Sequence, residues 1–312
     1  MLNSCLIVAQ QVGVLFILIA IGFVCNKTRL LKEIAVKGMT DLVLFVVTPC
    51  LIVISFQREF EAQLLSGLGM TLVIAIVSNI LFIAATHAVV HDSSKRRESV
   101  LRFAAVFSNC GYMAIPLQKA ILGDIGVFYG AVQIAFFNIL VWTYGLYLMG
   151  GTKTGSHAGI RKIILNPGLI GCAIGVTFFV TRLRLPELIA KPMTAMADLN
   201  TPVPMVIIGY YLAEADMRRV VKDLKAGWVI LLRLVVMPLA LLALLYVAKL
   251  GRPEMAMSCM IVASAPVAAA TTMFSAKFEQ DTILSVEMVS FSTLLSIITM
   301  PLVLGLALKV LS

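Results

Sequence analysis

Charge is scarce in this chain. Of its 312 residues only 25 are Lys or Arg and 16 are Asp or Glu, 13% in all, against about 25% in soluble domains. Histidine occurs three times, at His87, His91 and His157, scattered over span ends and loops. That leaves no His/Glu spacing suited to a metal. The six cysteines (Cys5, Cys25, Cys50, Cys110, Cys172 and Cys259) include no CxxC pair, so they read as small buried apolar residues rather than a redox or metal site. A Gly-rich phosphate loop is missing too. No enzyme motif and no cofactor site follows from the sequence. The net charge of +9 is spread over separate loops, without a long basic stretch interleaved with aromatics, and this argues against a nucleic-acid partner.

What the chain has is apolar length. Sixty per cent of its residues are apolar, with a mean hydropathy of +1.00. They fall in runs of about 18 or more, enough to cross a hydrocarbon core of ~30 Å. The runs are apolar all round, where a soluble helix would show a polar face. The expected class is therefore an all-α integral membrane protein whose partner surface is membrane lipid. Ten transmembrane helices are predicted, at 4–25, 37–56, 64–90, 100–121, 124–150, 166–183, 194–213, 227–249, 255–275 and 282–310. The first run lacks a basic leader and an obvious small-residue cleavage site, so it is retained as a helix.

Lys and Arg set an orientation. Sixteen lie in or beside the odd-numbered connectors and eight in the remaining connectors and termini. By the positive-inside rule the odd connectors are cytoplasmic and both termini face outward. Five spans per half is an odd number, so two homologous halves, 1–150 and 166–312 about a linker at 151–165, would insert in opposite orientations. Short matches support a repeat. QIAFFNILVW from Gln133 aligns with EMVSFSTLLS from Glu287, placing Phe137 on Phe291, Leu140 on Leu294 and Asn138 on Ser292. Inverted repeats of this kind are common in transporters.

The fourth span, FAAVFSNCGYMAIPLQKAIL, is a poor continuous helix. Asn109 and Gly111 disfavour it, and Pro116 lacks the N–H that would bond one turn back. Asn109 lies roughly 12 Å deep at 1.5 Å per residue. A helix broken there exposes amide N–H groups with positive partial charge, a setting suited to an anion. The ninth span, MIVASAPVAAATTMF, carries Ser264, Ala265 and Pro266 at a comparable depth. Paired interruptions in corresponding spans point to a midplane binding site formed by crossed broken helices. Pro49, Pro202 and Pro204, with Thr48 and Thr201 beside them, read as kinks whose hydroxyls could re-satisfy freed carbonyls.

Intramembrane charge gives coupling candidates. Glu287 lies about six residues into span ten, where an acid costs ~2.5–3.5 kcal/mol on insertion scales. It is expected to face a cavity or to reach the headgroups. Asp41 and Asp198 are read chiefly as helix-start acids and secondarily as coupling groups. Arg233 is expected to snorkel from span eight toward the cytoplasm. Lys119 is read as solvated at a loop end.

Three segments, SNCGYMAIPL from Ser108, GVFYGAVQIAFFNILVWTYG from Gly126 and STLLSIITMP from Ser292, resemble the auxin efflux carrier family in its bacterial permease branch. The resemblance covers the whole chain. It implies ten helices in two inverted five-helix repeats, and a small carboxylate such as malate or malonate carried by alternating access. It also implies a bacterial inner membrane and a substrate site including Asn109, Cys110, Gly111, Tyr112, Pro116, Asn138, Ser264, Ala265, Pro266, Ser290 and Ser292. Many relatives have Gly, Ser or Thr at the position of Cys110, and the long central loop of the plant exporters is missing. Proton or sodium coupling and a homodimer are both compatible with the sequence. The alternatives are a sodium-coupled symporter resembling the bile acid family, a non-transporting receptor, and an intramembrane aspartyl protease built on Asp41 and Asp198.

Overall fold

The computed structural model describes residues 2–150, 165–214, 221–249 and 251–311, with side chains from residue 10 onward. All but one residue of the 151–165 linker therefore lies outside the described residues. Among these residues every element is helical, apart from one isolated antiparallel bridge. In the first half the helices are α1 (Leu2–Lys27), α2 (Glu33–Ser55), α3 (Ala62–Val89), α4 (Lys95–Val106), α5 (Ile115–Leu122) and α6 (Asp124–Leu148). In the second half they are α7 (Pro167–Thr181), α8 (Glu187–Asp198), α9 (Pro202–Leu212), α10 (Leu224–Ala248), α11 (Pro253–Ser264), α12 (Ala270–Lys277) and α13 (Thr282–Leu311). Six of them (α1, α2, α3, α6, α10 and α13) are long and apolar enough to cross a membrane. Ile17, Val73, Ile80, Val247 and Leu302 point outward from the bundle, as expected where the solvent is lipid.

Helices meet where side chains are smallest. A Cβ added to Gly22 of α1 would sit 2.1 Å from the Val206 carbonyl oxygen of α9, and one on Gly209 of α9 would sit 1.9 Å from that of Ile19. In the same way Gly171 and Gly175 of α7 seat against Pro49 of α2 and Phe56 just beyond its end. Small residues permit this backbone approach in a medium that supplies no hydrophobic drive between helices. The first span thus packs on the seventh and the sixth on the second, a reciprocal exchange.

Prolines shape the helices from within. The widened π turns Val43–Val47, Cys110–Ala114 and Leu232–Val236 each end two residues before a proline: Pro49, Pro116 and Pro238. A proline ring clashes with the carbonyl one turn back, and widening the turn moves that carbonyl aside. A fourth π turn, Val141–Gly145, has no such proline.

Three expectations need correction. The seventh span begins at Glu187, earlier than the hydropathy suggested, and is interrupted rather than kinked, with Pro202 opening a new helix. Proline suits that first-turn position because its missing N–H would be unpaired anyway. The Thr48 hydroxyl donates to Asn200 Oδ1 at 3.0 Å instead of to a freed carbonyl. Asp41 and Asp198 are not helix-start acids: Asp41 lies well inside α2 and Asp198 ends α8, and both are exposed.

The connectors gather by parity. Arg97 pairs with Asp92 (3.7 Å), Asp223 (2.5 Å) and Asp281 (3.8 Å), joining the third, seventh and ninth connectors. Lys27 Nζ donates to the Ala213 carbonyl at 2.8 Å, adding the first connector to the seventh. At the other end of the rods the Leu185 N–H donates to Gln57 Oε1 at 2.8 Å, and Arg252 donates to the Gln63 carbonyl at 2.9 Å. These contacts join the second connector to the sixth and the eighth.

Candidate functional site

The segments predicted as the fourth and ninth spans each stop midway. After α4, Phe107 turns extended at φ −92°, ψ 117°, and after α11 Ala265 does so at φ −66°, ψ 148°. Ala265 precedes Pro266, whose ring disfavours helical backbone at the residue before it. The two extended stretches run antiparallel and hydrogen-bond to each other. Asn109 N–H donates to the Pro266 carbonyl at 2.8 Å, Ala268 N–H donates to that of Phe107 at 3.0 Å, and Ser108 bridges Val267. Each break therefore satisfies part of the other's backbone, which is what permits irregular chain at this depth. From the tenth span the Ser292 hydroxyl accepts the Val267 N–H at 3.1 Å.

Beyond the crossing the helices restart, one with the turn Cys110–Ala114 leading into α5, the other with α12. Both starts open into one cavity of about 720 Å³, lined by Cys110, Gly111 and Tyr112 on one side and Ala268, Ala269 and Ala270 on the other. The first N–H groups of a helix have no partner one turn back and carry its positive end. Polar lining comes from Thr48, Ser108, Asn109, Asn138 and Asn166. Phe45, Phe137, Trp142 and Phe274 form aromatic walls. Among the described residues no Asp, Glu, Lys, Arg or His lines it.

Of the residues anticipated from sequence, Asn109, Cys110, Gly111, Tyr112 and Asn138 line the cavity. Pro116, Ser264, Ala265 and Pro266 are buried and do not. The Ser264 hydroxyl donates to the Met260 carbonyl at 2.8 Å within its own helix, and Ala265 and Pro266 shape the break. Ser290 and Ser292 are also buried away from the cavity, so span ten supports the crossing without lining the cavity. Glu287 is buried at 6% exposure and lines no described cavity. Asp41 and Asp198 are exposed and not part of the cavity lining, and Lys119 pairs with Asp124 at a loop end.

The sequence reading missed one residue, Asn166, and misplaced another, Arg233. Asn166 accepts from the N–H groups of Gly168 and Leu169 at 3.0 and 3.2 Å, capping α7, and its amide donates to Asn138 Oδ1 at 3.2 Å. Asn-Pro at a helix start was a legible cap, but its second role depends on tertiary packing. Arg233 does not snorkel: it is 1% exposed, and its guanidinium donates to the carbonyls of Ala105, Val106 and Ala263. A lone basic residue in an apolar run gives no signal for that role.

Membrane-length helices and two interrupted spans crossing beside an uncharged cavity define a membrane transporter. The chain matches the membrane transport protein family over residues 7–304 and belongs to that family, which includes the auxin efflux carriers. It is a multi-pass membrane protein and a secondary transporter, not an enzyme, which removes the protease alternative. Among curated proteins none matches the chain.

Proposed function

We propose that the chain carries small organic anions by alternating access, through ten crossings arranged as two oppositely inserted five-span halves. One observation carries the reading: two helix N-termini open onto a single cavity whose described lining side chains bear no charge. A carboxylate there would take hydrogen bonds from N–H groups at Gly111–Tyr112 and Ala269–Ala270, with Asn109 and Asn138 as further donors. The reciprocal packing of spans one and seven with six and two supports the repeat, and the gathering of connectors by parity supports ten crossings. With the Lys/Arg bias, the odd connectors would lie in the cytoplasm of a bacterium and both termini outside.

The cavity also bears on which carboxylate. Its volume falls within the usual small-molecule range of roughly 300–1,000 Å³. Aromatic walls would leave the hydroxyl and second carboxylate of malate, or the second carboxylate of malonate, poorly partnered. A monocarboxylate with an apolar body suits the site better. Driving-ion chemistry, proton or sodium, is proposed to act outside the cavity lining, with buried Glu287 the first residue to test.

The test is flux in liposomes of purified protein, with radiolabelled malonate and phenylacetate as probes, at imposed proton and sodium gradients. Uptake of at least one probe is expected, greater for phenylacetate, and Asn109→Leu is expected to abolish it. Undiminished flux in a normally folded Asn109→Leu protein would remove the site assignment, and binding without counterflow would favour a receptor.

A further inference from the structure

Arg233 lies in the π turn of α10, buried among apolar residues, with the Phe82 ring centroid 5.8 Å from its guanidinium carbon. One terminal nitrogen donates to the carbonyls of Ala105 at 3.4 Å and Val106 at 3.2 Å; the other donates to the carbonyl of Ala263. These carbonyls belong to the C-terminal ends of α4 and α11, the two half-helices that enter the crossing. None of the ion pairs among the described residues includes Arg233.

Charge at the crossing can be counted. Each helix C-terminus carries about −0.5 of an elementary charge and each N-terminus about +0.5. Four ends meet here. The two carbonyl ends face Arg233, whose single positive charge offsets both, and the two amide ends face the large cavity. Without that cation the carbonyl ends, only a few residues from Cys110 and Ala269, would cancel much of the amide field. Arg233 does not line the large cavity itself. It borders a separate void of about 40 Å³, and Ser108 and Phe137 line both spaces.

We infer that Arg233 is the positioning residue of the anion site: its fork clasps both carbonyl ends and leaves the amide ends as the uncompensated charge offered to a carboxylate. The inference rests on the anion-site reading above, and its test separates the two. A single cysteine is introduced by Ala269→Cys in full-length protein whose native cysteines are replaced by alanine. Its reaction rates are measured with anionic sulfonatoethyl, cationic trimethylammonioethyl and neutral methyl methanethiosulfonate, each relative to a free thiol. With Arg233 present the anionic reagent is expected to be favoured over the cationic one. Arg233→Gln should lower that preference about tenfold, the order of magnitude for one buried charge acting at this range, while the neutral rate holds within about twofold.

No anion preference with Arg233 in place would sink the anion-site reading itself. A preference that survives Arg233→Gln, or an equal slowing of all three reagents, would overturn the role given to Arg233. If Arg233→Gln does not fold, Arg233→Lys replaces it. A single ammonium cannot span both helix ends as the fork does, so the preference should fall at least about threefold, and full retention overturns the inference.

Discussion

At the scale of single residues, Asn166 does two jobs with the two ends of one amide. Its carbonyl caps α7 through Gly168 and Leu169, and its NH₂ holds Asn138 at the cavity wall. The two can be separated. Asn166→Asp keeps the capping oxygen and removes the donor, so thermal stability in detergent should fall only by the ~1 kcal/mol of the side-chain bond while flux falls. Asn166→Ala loses both, with about 0.5–2 kcal/mol from the cap and a further ~1 kcal/mol from the side-chain bond. Equal thermal losses in the two variants would sink this division of labour. Arg233 teaches the complementary lesson. Its isolation in an apolar run favoured snorkelling, because sequence spacing carries no sign of two helix ends brought together from residues 105–106 and 263.

Among the elements, the interruptions were the most legible feature. Asn109, Gly111 and Pro116 in one span and Ser264-Ala265-Pro266 in the other weaken a helix for local reasons; the chain breaks at Asn109 and at Ala265-Pro266, while Gly111 and Pro116 lie in the helix that restarts beyond the first break. The division of roles was less legible: Ser264, Ser290 and Ser292 are polar at the right depth, yet hydroxyls can be satisfied by backbone carbonyls within a helix, and those of Ser264 and Ser292 are. Glycine packing was invisible, since one glycine in a hydrophobic run looks like another. Gly209→Ala would place a Cβ 1.9 Å from the Ile19 carbonyl oxygen, a backbone atom that cannot rotate away. Separating α1 from α9 should cost about 1–3 kcal/mol, the usual range for overpacking. Gly13→Ala on α1 has nothing within 4 Å and should be neutral or stabilising by up to ~1 kcal/mol. Thermal midpoints of the two variants in one detergent decide it: a Gly209→Ala protein as stable as Gly13→Ala would mean the α1–α9 contact is looser than described.

Across the whole molecule, the halves are tied at one end by a charge cluster built on Arg97. Asp92 and Asp223 both titrate below the ordinary carboxylate range. For Asp92 the main cause is the Ser94 backbone N–H, with Lys225 and Arg97 adding to it against partial burial. For Asp223 burial acts strongly in the opposite direction, but the Arg97 guanidinium and the N–H groups of Ala226 and Lys225 outweigh it. A carboxylate depressed in the folded state stabilises that state above its unfolded value of ~3.9 and loses the contribution as pH falls through the folded one. The cluster should therefore hold the third, seventh and ninth connectors together at neutral pH and release them only as pH falls from ~3.9 down through the depressed folded values. Arg97→Met removes the shared cation, so its thermal midpoint should lie below the parent's at pH 7, and the difference should shrink progressively as pH falls below ~3.9. Added salt should shrink it at neutral pH as well, because the partners are only partly buried and screening acts on such pairs. A gap between the two proteins that stays constant from pH 7 to pH 3 would mean Arg97 acts there through packing of its stem, and the electrostatic tie between the halves would have to be sought elsewhere.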